Sequence, residues 1–246
     1  LLKNEFTPVV WSEWDQGRRG EFGKLLAIVA EAQPDNLAVR SMRADYWIAV
    51  GAAENALAEI EQLWEVQPAR GLQGALLLRQ LGRNEEAVVM ARKASEKIAK
   101  QSDEMPQSVE LALLHAQFSI LLENYQAAYE RLLKTSKLVR DARLEAGKAE
   151  VLVFWSREQA TIENPTERFA KQLKILAKAF ETAPNHPLVI NDLMVVVLQC
   201  TDNQDENVAA LREVIVQGVE PDLAHFIHGT AALLRDDVDE AIVHLE

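Results

Sequence analysis

Three histidines in the last part of the sequence have side chains of the type that binds metals. His225 and His228 are three positions apart, and His244 follows them on the next predicted helix. Neutral imidazole is a common ligand of transition metals, so this spacing raises the question of a metal site. The helical spacing of the surrounding apolar residues instead directs His225 and His228 toward a partner helix and His244 outward. We therefore predict no metal site here.

The acidic segment Asp236–Glu240 and the single cysteine, Cys200, also have structural explanations. Acidic side chains in the first turn of a helix interact favourably with the positive end of the helix dipole. A calcium loop would need alternating oxygen ligands over about twelve residues and a glycine at its sharp turn, and no such pattern follows. Cys200 ends an apolar segment without a basic or histidine neighbour in sequence that would favour its thiolate.

Motifs of the common catalytic types are missing from the sequence. There is no glycine-rich phosphate loop, no Gly-x-Ser-x-Gly elbow and no His-Glu-x-x-His pair. Carboxylate pairs such as Glu59 and Glu61 are predicted on exposed helix faces, where their charge is solvated. We predict that the chain is not an enzyme and uses no cofactor, with an active site of scattered residues as a remaining alternative.

Composition and charge restrict the class of protein further. The chain has 246 residues, of which 48% are hydrophobic, so it can bury a sizeable core. Its net charge of −12 would repel phosphate backbones, which excludes nucleic acid as a predicted partner. The apolar runs are far shorter than the roughly 20 residues of a membrane span. One cysteine and no visible signal segment favour the cytoplasm, and a first residue other than Met indicates a piece of a longer chain.

Glycines and prolines recur at regular intervals among helically spaced apolar residues. Pro34 and Pro68 are separated by the same interval as Gly17 and Gly51, and Gly82 follows Gly51 after a slightly shorter one. A nearly fixed interval of this length indicates a repeat architecture.

Pairs of small residues twelve positions apart mark the points where two antiparallel helices would cross. The pairs are Ala44 with Ala56, Ala75 with Ala87, Ala116 with Ala128, and Gly229 with Ala241. Small side chains let two backbones approach closely, so these positions are predicted to be almost fully buried. Gly51 and Gly82 are suited to end the first helices, and acidic residues follow each of them.

This pattern resembles the tetratricopeptide repeat, a helix–turn–helix unit of about 34 residues. The best match is Leu37–Arg70, with Ala44 and Trp47 on its first helix, Gly51 at the turn, Ala56, Ile60 and Leu63 on its second helix, and Pro68 at the close. Three units match loosely: Val10 and Phe22 replace small residues in the first, the fifth pairs Ala160 with Gln172, and the sixth has Met194. The resemblance implies an all-α, right-handed α-solenoid of about seven units, several of them degenerate and the last incomplete. It spans residues 1–246 as a single domain.

The predicted helix pairs are 4–16 with 19–33, 36–50 with 53–66, 69–81 with 84–101, 107–122 with 125–139, 142–163 with 166–182, 187–200 with 205–217, and 222–234 with 237–246. The turn near Arg140 is the least marked, so residues 125–163 could also form one long helix. Arg131, Lys134, Lys137, Arg140 and Arg143 are predicted to form a basic stripe on one face or across a short turn.

The family resemblance also implies a concave groove lined by the first helices of the units. The positions that would bind a partner are Trp11, Trp14, Asp45, Ile48, Leu72, Leu76, Arg79, Leu113, Gln117, Ile120, Val195, Leu198, Phe226, Thr230 and Leu233. The Lys and Asn residues with which related chaperone-binding proteins clamp a carboxylate are missing, and so is an asparagine ladder. The groove is therefore predicted to be largely apolar, unless some of these side chains pack against neighbouring helices.

These features predict a scaffold or adaptor that binds a protein partner, as a peptide or an amphipathic helix in the groove. The alternative is a structural or self-assembly segment of a larger multidomain protein. Small and apolar residues in the last helix pair, such as Leu233, Ile242 and Leu245, would then support end-to-end self-association.

Overall fold

The computed structural model describes residues 16–201, 225, 229, 232 and 237–245. The chain divides into two compact units, Leu1–Met105 (unit 1) and Pro106–Glu246 (unit 2). The prediction of one continuous domain stays a prediction.

The described elements are helices, and their order confirms the all-α, helical-repeat prediction. Unit 1 contains α1 (Gln16–Ala32), α2 (Leu37–Ala49), α3 (Ala53–Leu63), α4 (Arg70–Gln80) and α5 (Asn84–Glu104). Unit 2 contains α6 (Val109–Leu121), α7 (Tyr125–Ser136), α8 (Ala142–Glu158), a 3₁₀ turn (Gln159–Thr161), α9 (Pro165–Thr182), α10 (Pro187–Thr201) and α11 (Val238–Leu245). The predicted helix 205–217 and most of the predicted helices 4–16 and 222–234 lie outside the described residues.

Side chains that precede the helices fix where several of them begin. Asn36, Ser108, Asn124, Asp141 and Asn164 each accept a hydrogen bond from a backbone N–H in the following first turn. Such caps satisfy N–H groups that have no partner within the helix.

The turns inside three helix pairs share one backbone geometry. Gly51 and Gly82 both have φ +76, the left-handed region that glycine adopts without a steric penalty. Glu123 has φ 60 at the equivalent place between α6 and α7. In each turn the next backbone N–H bonds back to a carbonyl five residues earlier, as from Asn124 to Ser119 at 2.8 Å. The third turn therefore keeps this geometry without a glycine.

The predicted small pairs lie where the helices cross. In unit 1, Ala44, Ala56 and Ala75 are fully buried, and Ala87 is 1% exposed. In unit 2, Ala116 and Ala128 are likewise buried. Burial of these positions confirms the repeat register that the sequence predicted for these three pairs.

The register predicted for the fifth pair is wrong. Ala160 is exposed and lies in the 3₁₀ turn, because α8 has 17 residues where α2 and α6 have 13. Ser156, one turn earlier, is the small buried residue at this end of α8. Gln172 is also buried, and its Nε2 donates a hydrogen bond to the Ser156 carbonyl at 3.3 Å. The extra turn of α8 therefore displaces the crossing by one helical turn.

Residues 125–163 form separate helices, so the alternative of one long helix is wrong. α7 ends at Ser136, and Asp141 caps the start of α8. Four members of the predicted basic stripe, Lys134, Lys137, Arg140 and Arg143, are exposed and extend across this turn, whereas the fifth, Arg131, is partly buried.

Candidate interaction surfaces

Unit 1 carries five of the predicted groove residues on two first helices, α2 and α4. Ile48 is 38% exposed and Leu76 is 51% exposed, and Arg79 is exposed as well. Asp45 and Leu72 are partly buried. We call these five residues the first-helix surface of unit 1.

A polar network that the sequence did not indicate occupies the middle of this surface. The Arg70 guanidinium, at the start of α4, bonds to both carboxylate oxygens of Asp45 on α2, with Nη2 at 2.9 Å from Oδ2. It also donates to the Ser41 hydroxyl and, at 2.7 Å, to the Gln73 side chain. A guanidinium that bonds both oxygens of one carboxylate has a fixed geometry. Arg70 therefore ties α2 to α4.

The repeat interval relates the predicted groove residues of α4 to those of α2. α2 and α4 are parallel first helices, and the interval from Ala44 to Ala75 is also the interval from Asp45 to Leu76 and from Ile48 to Arg79. Leu76 therefore has the repeat position of Asp45, and Arg79 has that of Ile48. The first-helix surface of unit 1 is mixed, because it carries an ion pair as well as two exposed aliphatic side chains, Ile48 and Leu76.

In unit 2, two predicted groove residues of α6 belong largely to the core. Leu113 and Ile120 are partly buried and pack against the cluster that includes Val109, Ala116 and Leu144. A methyl group added at Gly147 on α8 would lie 2.8 Å from Leu113, which shows how closely α8 approaches this side chain. Gln117 remains exposed. The alternative that some groove positions pack against neighbouring helices thus holds for α6.

A second polar link joins α8 to α10 in unit 2. The Arg157 guanidinium bonds to Asp192 with Nε at 2.6 Å from Oδ2 and Nη2 at 2.8 Å from Oδ1. These hydrogen bonds raise the pKa of Arg157 above its usual value. The same guanidinium lies over the Phe154 ring, 5.3 Å from its centroid. Val195 on α10 is 43% exposed. No groove residue of this repeat was predicted from the sequence, so Arg157 was missed.

Several predicted site residues cannot be placed. Trp11, Trp14, Phe226, Thr230 and Leu233 lie outside the described residues, and so does the side chain of Leu198.

Two predictions about the exposure of charged and titratable side chains are wrong. Glu59, predicted on an exposed face, is 6% exposed and accepts from Arg43 at 2.8 Å, with Arg40 at 3.5 Å. His225, predicted to face a partner helix, is exposed. The side chains of His228 and His244 lie outside the described residues. Among the side chains that the structure does describe, no three His, Cys, Asp or Glu residues are placed to hold a metal ion.

Within residues 16–201 and the few described positions after them, no helix combines the length and the apolar character needed to cross a bilayer.

Comparisons with known proteins place these helix pairs in a fold class. Neither a protein-family model nor a curated protein matches the sequence. A tetratricopeptide repeat protein from Parabacteroides merdae resembles the structure with a TM-score of 0.51 and 16% sequence identity, over 94% of this chain and 85% of that chain. The chain has the tetratricopeptide-repeat fold. The C-terminal part of a TPR repeat-containing protein from Cytophaga hutchinsonii has a TM-score of 0.49 and 11% identity, over 92% of this chain and 88% of that one.

In the tetratricopeptide-repeat fold, one repeat consists of one helix pair. Here α2–α3 and α4–α5 are successive repeats of unit 1, and α6–α7 and α8–α9 are successive repeats of unit 2. Arg70–Asp45 and Arg157–Asp192 each connect the first helices of two neighbouring repeats.

Proposed function

We propose that the chain is a protein-interaction scaffold that binds a peptide or an amphipathic helix of a partner on the first-helix surface of unit 1. The observation that carries the proposal is the exposure of Leu76, at 51%, on α4, the helix that the Arg70–Asp45 pair ties to α2. Large aliphatic side chains are usually covered when a neighbouring helix can cover them, and exposed ones that cluster mark binding surfaces. The proposal assigns no catalytic chemistry to the chain.

The rigidity of this surface supports recognition. Arg70 holds α2 and α4 at a fixed separation, so Ile48 and Leu76 present two apolar contacts without a large loss of conformational freedom on binding. Preformed surfaces bind more tightly because less ordering accompanies association. An amphipathic helix offers apolar side chains at intervals of three and four residues, which suits two such contacts on adjacent helices.

The test is affinity capture with the Leu76→Asp variant and a matched control. Val66, which is 61% exposed in the turn after α3, receives the same substitution as a control because it is not one of the five residues of the first-helix surface. We expect partners captured by the wild-type chain and by Val66→Asp to be lost from Leu76→Asp. Thermal unfolding of all three proteins verifies that each is folded. Capture of the same partners by both variants would refute the assignment of this surface.

Self-assembly through α11 is the second candidate function. Val238, Ile242 and Val243 are 57%, 46% and 74% exposed, while Ala241 on the same helix is buried. Covering such side chains contributes roughly 1.5–3 kcal/mol each when burial is complete. If this candidate is right, the mass measured by light scattering rises with protein concentration and the Val243→Asp variant stays monomeric. A constant monomer mass in the wild-type chain argues against it.

A further inference from the structure

A cleft between the second helices α3 and α5 is separate from the surface proposed above. It has a volume of about 350 Å³ and is lined by Glu61, Trp64, Leu78, Glu85, Glu86, Val89, Met90 and Lys93. Leu78 comes from α4, which lies beneath the two second helices. The volume is at the lower end of the range for ligand pockets, and it suits one or two side chains of a partner.

The cleft combines an apolar interior with an acidic rim. Leu78 and Met90 are buried at its base, and Val89 is 53% exposed at its edge. Glu86 accepts two hydrogen bonds from Arg83, at 2.8 and 2.7 Å, and these bonds hold the pKa of its carboxyl below the usual value. Glu61 and Glu85 are the other exposed carboxylates of the rim.

A basic side chain of the protein already occupies the neighbouring position in the way that a ligand would. The Lys97 ammonium lies 4.9 Å from the centroid of the Trp64 ring and pairs with the Glu65 carboxylate. It also donates to the Glu65 backbone carbonyl at 3.0 Å. The aliphatic stem of a lysine or arginine packs on apolar surface while its charged end remains near carboxylates and water. The chain thus already holds one cation, Lys97, beside the Trp64 ring next to the cleft.

We propose that this cleft binds a basic, amphipathic segment of a partner protein by accepting one long basic side chain. The stem of that side chain packs on Val89 and Trp64, and its charged end pairs with Glu61 and Glu85. Lys93 is the one basic residue that lines the cleft, and it opposes such a ligand. Whether replacement of Lys93 strengthens or weakens binding therefore reports the charge of the bound group.

The probe is the octapeptide acetyl-Leu-Arg-Lys-Leu-Leu-Arg-Lys-Leu-amide. Two counterparts carry Gln or Glu at every Arg and Lys position, so they keep the apolar residues and change only the charge. Binding is followed by the nuclear magnetic resonance signal of the Trp64 indole N–H, which the Trp64→Phe variant identifies among the five tryptophans of the chain. We expect the basic peptide to shift this signal, and the Gln and Glu peptides to bind more weakly in that order.

Charge-neutralising variants on the rim are expected to change the affinity for the basic peptide in opposite directions. Glu61→Gln and Glu85→Gln should each weaken binding of the basic peptide about two- to fivefold, the range for exposed ion pairs, and Lys93→Gln should strengthen it by a similar factor. Glu104→Gln is the matched control, because Glu104 is exposed on α5 but lies about 16 Å along the helix from Lys93. All four positions are exposed, so the variants are expected to fold.

The outcomes separate this cleft from the first-helix surface. Weakening by Glu61→Gln with no effect of Leu76→Asp supports the cleft, whatever the fate of the proposed scaffold function. Three results would overturn the inference: equal effects of Glu61→Gln and Glu104→Gln, weakening by Lys93→Gln, or equal binding of the Gln and basic peptides. Loss of binding in Leu76→Asp alone would assign the basic peptide to the first-helix surface instead.

Discussion

Replacing Gly74 by alanine tests how closely α4 packs against its two neighbours. Gly74 is buried in the interior of α4. A methyl group added there would lie 2.5 Å from the Met90 Sδ on α5 and 2.9 Å from the Ile60 Cγ2 on α3. Both distances are shorter than carbon and sulfur atoms tolerate, so at least one neighbour must move.

Two opposing contributions determine how Gly74→Ala changes the free energy of unfolding. Alanine in place of glycine within a helix stabilises the folded state by about 0.5–1 kcal/mol. Overpacking a dense core costs about 1–3 kcal/mol. The Met90 side chain is flexible and can shift, but Ile60 is β-branched and fully buried, so its Cγ2 has little freedom. The overpacking term therefore dominates, and we expect a net loss of about 1 kcal/mol.

Gly20→Ala is the matched control for the helix term. Gly20 lies within α1, is exposed, and would have no heavy atom within 4 Å of the added methyl group. The same substitution should here stabilise the protein by about 0.5–1 kcal/mol. Subtracting the change in unfolding free energy of Gly20→Ala from that of Gly74→Ala cancels the helix contribution. What remains is the packing cost at Gly74, about 1–3 kcal/mol.

Urea unfolding followed by far-ultraviolet circular dichroism measures both variants against the wild-type chain. A lower midpoint for Gly74→Ala and a higher midpoint for Gly20→Ala are expected. If Gly74→Ala raises the free energy of unfolding as much as Gly20→Ala does, the close approach of α3, α4 and α5 is wrong.

Three further outcomes can be measured on the same chain. Ala87→Leu places a large side chain at a crossing where the alanine is 1% exposed, and urea unfolding should show a loss of about 1–3 kcal/mol. Gly82→Ala should lose about 1–2 kcal/mol because φ is +76 there, whereas Gly82→Asn should lose less. The Arg143 guanidinium lowers the pKa of Asp141 below its usual 3.8, so the stability that this carboxylate contributes is present above that pH and is lost as the pH falls through the lower folded value. The difference in unfolding free energy between wild type and Asp141→Asn should therefore shrink on acidification, and a constant difference would contradict this account.

The repeat register could be predicted where it depends on local sterics. Ala44, Ala56 and Ala87 mark helix crossings because only small residues allow the backbones to approach, and this requirement is visible in the spacing alone. Glycine marks a turn for an equally local reason at Gly51. Glu123 adopts the same backbone region without being a glycine, so the residue type there did not reveal the turn geometry.

Counting from one repeat to the next failed where a helix changed its length. The apolar spacing places a crossing at Ala160 within a helix predicted over 142–163, but α8 ends at Glu158 and Ala160 lies in the 3₁₀ turn that follows. The actual ends of the two helices are set by Asp141, which caps α8, and by Asn164 with Pro165, which begin α9. These capping residues are visible in the sequence. Counting back from Asn164, rather than forward from the preceding repeat, places the crossing near Ser156.

The contacts between neighbouring repeats could not be predicted from the spacing of residues in the sequence. Asp45 has the position of a groove residue, but its partner Arg70 is 25 residues away, and their meeting depends on how far apart α2 and α4 lie. A ligand that paired with Asp45 would have to displace Arg70, which is only 16% exposed in its side chain and would be left without its carboxylate. Separating a partly buried ion pair is costly because each charge loses its partner without full hydration. In the proposed function, contact with a partner on this surface therefore falls to the side chains that the network leaves exposed, Ile48, Leu76 and Arg79, and we expect Leu76→Asp to weaken binding more than Asp45→Asn does.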